Sequence, residues 1–156
     1  NLLNMVRFSR IIADSNLRRY AFFRFHAILG ADVCRKEMKN VLFLCYPKCT
    51  TCQRAKAYLD AKGVAYELRD IKQEHPTEAE LRQWHSKSGL PLKRFFNTSG
   101  QLYRQMELTK KLPSMTEDEQ YQLLATDGML VKRPILISDD FVLVGFHESE
   151  WEKKLP

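Results

Sequence analysis

The sequence predicts an α/β fold in which a β-α-β unit is followed by a helical block of about fifty residues and then by a β-β-α unit. Short apolar runs at 41–45 and 64–68 flank a helix-forming stretch and indicate the first unit. Two further apolar runs, at 135–137 and 141–144, are separated by three polar residues, which is typical of an antiparallel hairpin. Helix caps and helical spacing fill the region between the two units.

In the first unit, residues 41–45 form the predicted strand because they are mainly apolar and partly β-branched or aromatic. The helix that follows is expected over Thr50–Lys62 and ends at Gly63, which suits the left-handed position after a helix. Large apolar side chains occupy every second position from 64 to 68, as in a half-buried strand. A unit of this length implies two parallel strands joined by a right-handed crossover.

The helical block carries capping signals near both of its ends. Thr77 and Glu80 have the spacing of a capping box and start a helix that we expect to end at Gly89. Overlapping caps at 114–117 start another helix, expected to run to Ala125. The remaining predicted helices, two short ones and one at the end of the chain, are at 90–96, 102–112 and Glu148–Lys154.

The positive charge is concentrated at one end of the chain. The formal net charge of the 156 residues is +6, but residues 1–40 hold eight lysines and arginines against three acids, and residues 41–156 hold seventeen against sixteen. Because phosphate contacts need a basic face, the nearly neutral body argues against direct DNA binding.

Residues 1–39 are predicted to be an extension outside the core, and residues 40–156 to form the domain. Arginines interrupt every apolar run of the extension, so we expect neither a secretory signal nor a membrane span. An organellar transit peptide and a nucleic-acid-binding arm are alternative interpretations of a segment rich in arginine and aromatic residues. Met38 lies just before the first strand, where a natural start of the domain would lie, and therefore favours the interpretation of residues 1–39 as an extension.

Cys49 and Cys52 form a C-x-x-C motif at the predicted junction between the first strand and the first helix. The unpaired N–H groups and the positive end of a helix dipole point at that junction. Such a location lowers the pKa of a thiol and makes it a nucleophile. Cys52 falls on the inward face of the helix, near enough to close a disulfide. The motif therefore predicts a thiol-redox site, and clustered cysteines favour a reducing compartment.

Two kinds of metal site are alternative interpretations of the cysteines. Half of a zinc site would need a second pair of ligands, and the four histidines stand singly. Cys45 completes a C-x3-C-x2-C spacing, which is that of a radical-SAM iron–sulfur cluster, but the body of the chain is too short to form the barrel that would hold SAM. We therefore expect no metal. Cys45 is either a small apolar residue at a strand end or an extra thiol that traps Cys49.

Four segments together resemble the arsenate reductase (ArsC)/Spx/YusI-like family: residues 46–55, 93–100, 123–134 and 144–146. The first contains Cys49-Thr50-Thr51-Cys52, and the third ends in Lys132-Arg133-Pro134. The resemblance covers essentially all of 40–156. It implies a thioredoxin/glutaredoxin-like core with a helical insertion, a cytoplasmic bacterial protein, and Cys49 as the reactive cysteine.

The chain departs from the glutathione-coupled arsenate reductases of this family. Cys49 matches their nucleophile, and Arg133 matches one of three arginines that hold the oxyanion. Asn97 and Gly145 stand where the other two are expected, and Cys45 stands where those enzymes have a histidine. Losing two guanidinium groups weakens an anion site, so the sequence argues against efficient arsenate reduction.

Pro134 is predicted to follow a cis peptide bond and to shape the groove for a substrate backbone or glutathione. Its alternative role is that of a proline that opens a strand. Arg133 either orients an anion or caps the helical block. Arg133, Pro134 and Asn97 are thus the candidate residues for binding an oxyanion or glutathione.

The resemblance implies two functions. In the first, the protein is an oxidoreductase that reduces a disulfide or an oxyanion, with Cys49 as the nucleophile and Cys52 as the resolving thiol. Its electron donors would be glutathione with glutaredoxin, or thioredoxin, with glutathione as a co-substrate and no bound cofactor. In the second, it is an Spx-like redox-switched regulator that binds the C-terminal domain of the RNA polymerase α subunit. We expect a monomer that binds no membrane.

Overall fold

A computed structural model describes residues 40–155, and the predictions for residues 1–39 lie outside this range. The strands are β1 (Leu42–Cys45), β2 (Glu67–Asp70), β3 (Ile135–Ile137) and β4 (Val142–Val144). The α-helices are α1 (Thr50–Lys62), α2 (Glu78–Ser88), α3 (Gln101–Gln105), α4 (Leu108–Lys111), α5 (Glu117–Leu124) and α6 (Glu148–Lys154). Within residues 40–155, three 3₁₀ helices cover Leu92–Phe95, Leu112–Ser114 and Gly128–Leu130. In the described part of the chain, no helix is long and apolar enough to cross a membrane.

The four strands form one sheet in the order β2-β1-β3-β4. β1 is central: it pairs parallel with β2 and antiparallel with β3, and β3 pairs antiparallel with β4. The strand order and directions are those of a thioredoxin-like core. Along the chain, the elements follow the predicted order of a β-α-β unit, a helical block and a β-β-α unit. The predicted fold class is therefore confirmed.

Two apolar clusters cover the two faces of the sheet, because successive side chains of β1 point to opposite faces. Leu44 packs into the cluster built largely by the helical block, which includes Trp84 and Phe95. Phe43 and Cys45 pack into the other, together with apolar residues of α1 and α6 such as Leu59 and Trp151. The end of β1 and the start of α1 therefore sit on a rigid core.

The helix boundaries that are set by neighbouring residues agree with the predictions. α1 begins and ends at the predicted residues, and Gly63 takes the left-handed conformation with φ of 66°. Thr77 and Glu80 form the predicted capping box at the start of α2. A second capping box, between Thr116 and Glu119, starts α5.

Two expectations need correction, and the first concerns β2. It begins at Glu67, later than the predicted run from 64, and Leu68 is 52% exposed instead of half-buried. β2 is an edge strand, and few side chains pack on the face that carries Leu68. The residue held against the body is Arg69, whose Nη1 donates to Oε1 of Glu80 at 2.7 Å. The ion pair connects the edge strand to α2.

The second correction concerns the predicted helix at 102–112, which is two short helices, α3 and α4. Glu107 separates them because its φ of 52° places it in the left-handed region, where a helix cannot continue. The buried residues of these helices are Tyr103 and Leu108, whereas Leu102 and Met106 are only partly buried.

Candidate active site

Cys49 is the N-cap residue of α1, and its backbone is extended, with φ of −88° and ψ of 120°. The turn after β1 fixes this position, since the N–H of Cys49 donates to the carbonyl of Tyr46 at 2.9 Å. The carbonyl of Cys49 then accepts from the N–H of Gln53 at 3.0 Å and starts the helix. The Cys49 side chain is partly buried and faces the open first turn, as predicted.

Cys52 lies one turn further along α1, on the face that packs against β1. It is only 1% exposed, and its sulfur accepts a hydrogen bond from the N–H of Tyr46 at 3.4 Å. Both cysteines are free thiols. The structure thus brings together one accessible and one buried thiol.

The surroundings of the two thiols separate their acidities. Partial burial raises the pKa of Cys49, but the N–H groups of Cys52 and Thr51, the Cys52 thiol and the charge of Arg133 outweigh it, so the pKa is lowered overall. This occurs although the sulfur accepts no hydrogen bond of ordinary capping geometry. Burial raises the pKa of Cys52 to about 12. Cys49 is therefore the thiol that ionises first.

Cys45 is the third thiol of this region, at the end of β1. It is 5% exposed and lies in the same apolar cluster as Cys52. Burial raises its pKa, and the negative charges of Asp70 and Cys49 act in the same direction. Within residues 40–155, no group of three or more histidine, cysteine or acidic side chains is placed to hold a metal ion.

A cavity of about 420 Å³ opens at Cys49. Its wall includes two of the predicted binding residues, Arg133 and Asn97, but not Pro134. The peptide bond between Arg133 and Pro134 is cis, as predicted. Pro134 is buried, and its carbonyl accepts from the N–H of Gly145 at 2.8 Å. Pro134 therefore positions the residues that line the cavity.

Arg133 lies with its guanidinium carbon 5.3 Å from the centre of the Tyr46 ring. Its Nη1 donates to the carbonyl of Met129 at a long 3.5 Å. Its Nε is buried and has no hydrogen-bond partner in the described part of the protein. Because its positive charge lowers the pKa of Cys49, Arg133 acts electrostatically on the thiol.

Asn97 is 6% exposed, and both ends of its side-chain amide are occupied. Nδ2 donates to the carbonyl of Met129 at 3.2 Å, and Oδ1 accepts from the hydroxyl of Ser99 at 3.2 Å. Asn97 thus holds together the loop beside the cavity. Its part in binding a substrate stays a prediction.

Lys132 and His147 also line the cavity, and the sequence reasoning missed both. A β-carbon built on Gly145 would lie 3.7 Å from Cε of Lys132 and 3.9 Å from Nε2 of His147. The two basic side chains therefore flank the place where a side chain at position 145 would be. The only available signal was the position of Lys132 next to Arg133, since His147 has no partner at a recognisable spacing.

Comparison with known proteins identifies the family of the chain. Residues 44–154 match the model of the ArsC family. The chain is 46% identical over 114 residues to the uncharacterized protein YusI of Bacillus subtilis, covering 73% of this chain and 97% of YusI. It is 28% identical over 110 residues to the global transcriptional regulator Spx of Staphylococcus epidermidis, covering 70% of this chain and 82% of Spx.

Among solved structures, one described as a possible arsenate reductase from Streptococcus mutans superimposes with a TM-score of 0.66. Its sequence identity is 44%, and the match covers 72% of this chain and 97% of that one. Members of this group thus include both reductase-like proteins and regulators. With most of the described domain matched by the family and by a relative of nearly the same extent, the chain belongs to the ArsC family.

Proposed function

We propose that the protein is a thiol–disulfide oxidoreductase in which Cys49 is the nucleophile and Cys52 the resolving thiol. The observation that carries the proposal is the contrast between the two sulfurs. Cys49 lies on a cavity with a lowered pKa, while Cys52 is buried one turn away with a pKa raised to about 12. A dithiol that attacks in order needs such a difference in thiolate character.

The reaction has two exchange steps. The Cys49 thiolate attacks one sulfur of a disulfide substrate, the substrate S–S bond breaks, and the first substrate thiolate leaves. Cys52 then attacks the Cys49 sulfur of the mixed disulfide and transfers its proton to the departing second thiolate. The substrate gains two electrons, and the protein is left with a Cys49–Cys52 disulfide. Glutathione with glutaredoxin, or thioredoxin, restores the dithiol in the cytoplasm.

A tetrahedral oxyanion such as arsenate is a weaker substrate candidate. Among the described residues that line the cavity, Arg133 is the single arginine, and both ends of the Asn97 amide are hydrogen-bonded within the loop. Charge-assisted, bidentate contacts from several guanidinium groups would suit an oxyanion better than this wall does. We therefore place disulfides ahead of oxyanions.

The rate at which Cys49 reacts with iodoacetamide as a function of pH tests the nucleophile. We expect the midpoint to fall below about 8.5, the ordinary thiol value. Replacing the resolving thiol by Cys52→Ser should allow the mixed disulfide on Cys49 to accumulate, which intact-mass measurement detects. Cys45→Ala is the matched control, because it removes a second buried thiol of the same cluster. An adduct that accumulates in Cys45→Ala and not in Cys52→Ser would assign resolution to Cys45.

A regulatory function is the second candidate, favoured by the similarity to Spx. In this case the Cys49–Cys52 disulfide would alter docking on the C-terminal domain of the RNA polymerase α subunit. A pull-down with that domain, using the oxidised and the reduced protein, separates the two candidates. If neither the oxidised nor the reduced protein binds that domain, the regulatory function is ruled out.

A further inference from the structure

Two basic side chains on the cavity wall have no part in the exchange steps described above. Lys132 and His147 converge on the space beside Gly145, within 4 Å of the position that a β-carbon would take there. Gly145 has φ of 83°, a conformation that other residues rarely adopt, so the space stays free of a side chain. Cys49 lines the same cavity.

The positive charge on the cavity wall is not balanced by carboxylates of the described residues that line it. No residue with a carboxylate is among the described residues that line the cavity. Lys132 forms no ion pair within residues 40–155, and the neighbouring Glu148 is exposed and does not line the cavity. Arg133 also lines the cavity, but its guanidinium carbon lies 5.3 Å from the centre of the Tyr46 ring and its Nη1 reaches the carbonyl of Met129 at 3.5 Å. Lys132 and His147 thus remain available to an anionic ligand.

The size of the cavity favours an extended ligand. Its volume of about 420 Å³ falls within the usual range for sites that hold small organic molecules. A five-atom oxyanion at Cys49 would leave most of it unfilled. A disulfide whose arm carries a carboxylate can place one sulfur at Cys49 and its charge a few bonds away.

We infer that Lys132 and His147 form a subsite for the carboxylate of a low-molecular-weight disulfide, and that they position its sulfur for attack by Cys49. The substrate class rests on the proposed function, whereas the anion subsite does not. Lys132 and His147 are positioning residues: they hold the substrate and take no part in bond making.

Alkylation of Cys49 by two reagents of similar size tests the subsite without turnover. Iodoacetate and neutral iodoacetamide both react with the Cys49 thiolate and release iodide, so the ratio of their rate constants cancels the fraction of thiolate. We expect Lys132→Gln to lower the iodoacetate-to-iodoacetamide ratio about threefold, and His147→Gln to lower it by a smaller factor. Lys153→Gln, which removes an exposed lysine of α6 outside the cavity, should leave it unchanged. Peptide mass spectrometry assigns the label to Cys49.

A ratio that is unchanged in both cavity variants, or that falls equally in Lys153→Gln, would overturn the subsite. Because His147 is exposed and Lys132 is only half-buried, the two variants can be measured independently if one of them folds poorly.

The substrate class is tested by single-turnover oxidation of the reduced protein with three disulfides of matched arm length. Dithiodipropionate ends in carboxylates, bis(hydroxyethyl) disulfide in hydroxyls and cystamine in ammonium groups. We expect the rate with dithiodipropionate, relative to the rates with the other two, to fall in Lys132→Gln. The comparison between the two proteins cancels the different acidities of the leaving thiols. Relative rates that are the same in the unmodified protein and in Lys132→Gln would overturn the carboxylate preference alone. If none of the three oxidises the protein, the proposed function fails together with the substrate class, while the alkylation ratio still reports on the subsite.

Discussion

The first turns of α1 and α2 solve the same structural problem in different ways. Each helix begins with N–H groups that lack partners within the helix. At α2, the Thr77 hydroxyl accepts from the N–H of Glu80 at 3.3 Å, and the Glu80 carboxylate accepts from the N–H of Thr77 at 2.8 Å. At α1, the N-cap is Cys49, which makes no side-chain capping bond.

This difference separates stability from function. The capping box of α2 is complete, and its Glu80 is also paired with Arg69 of β2, so it connects two elements. The N–H groups at the start of α1 instead face a sulfur and lower its pKa. The uncapped start therefore gives up some helix stability and gains a reactive thiolate. Three experiments test whether the two helix starts differ in this way.

The largest effect is expected for Cys49→Ser. This variant should lose disulfide reduction entirely, because the serine hydroxyl is not ionised near neutral pH. Serine is also a favourable N-cap, so the free energy of unfolding at about pH 5 should rise by about 0.5 kcal/mol. Turnover and urea denaturation measure the two effects. A variant that is inactive and also less stable than the unmodified protein would contradict the trade between capping and reactivity.

Thr77→Ala should give the opposite result at α2. Removing the hydroxyl leaves the N–H of Glu80 without its capping partner, so the free energy of unfolding should fall by about 1 kcal/mol. The rate of Cys49 alkylation should stay unchanged, because the site lies on another helix. Thr77→Ser, which keeps the hydroxyl, is the matched control. A slower alkylation rate in Thr77→Ala would show that the two helix starts are coupled.

The two helix starts also show what a sequence can reveal. Both caps were predictable, because a cap is set by residues within one turn: Thr77 with Glu80, and Cys49 after an apolar strand. Lys132 and His147 were not, because they meet only when β3 and β4 pair and bring Gly145 beside the cis peptide of Pro134. The exposure of Leu68 was missed for a similar reason, since alternation along a strand does not say whether it lies at an edge of the sheet.

The smallest effect is a difference in pH dependence between the unmodified protein and Cys49→Ser. The folded-state pKa of Cys49 is lowered below the unfolded thiol value of about 8.5, so its thiolate stabilises the fold. That contribution is fully present above about pH 8.5 and is lost as the pH falls through the folded-state pKa.

The free energy of unfolding of the unmodified protein, minus that of Cys49→Ser, should therefore increase as the pH is raised from about 5 to about 9. Burial of Cys52 raises its pKa to about 12 and acts in the opposite direction at high pH, but this burial is the same in both proteins and its contribution cancels in the difference. At α2 the corresponding loss lies on the acid side, since the pKa of Glu80 is lowered: burial raises it, but Arg69 and Thr77 outweigh that. Urea denaturation across this range measures the difference, and a flat difference would mean that the start of α1 gives the thiolate no more stabilisation than water does.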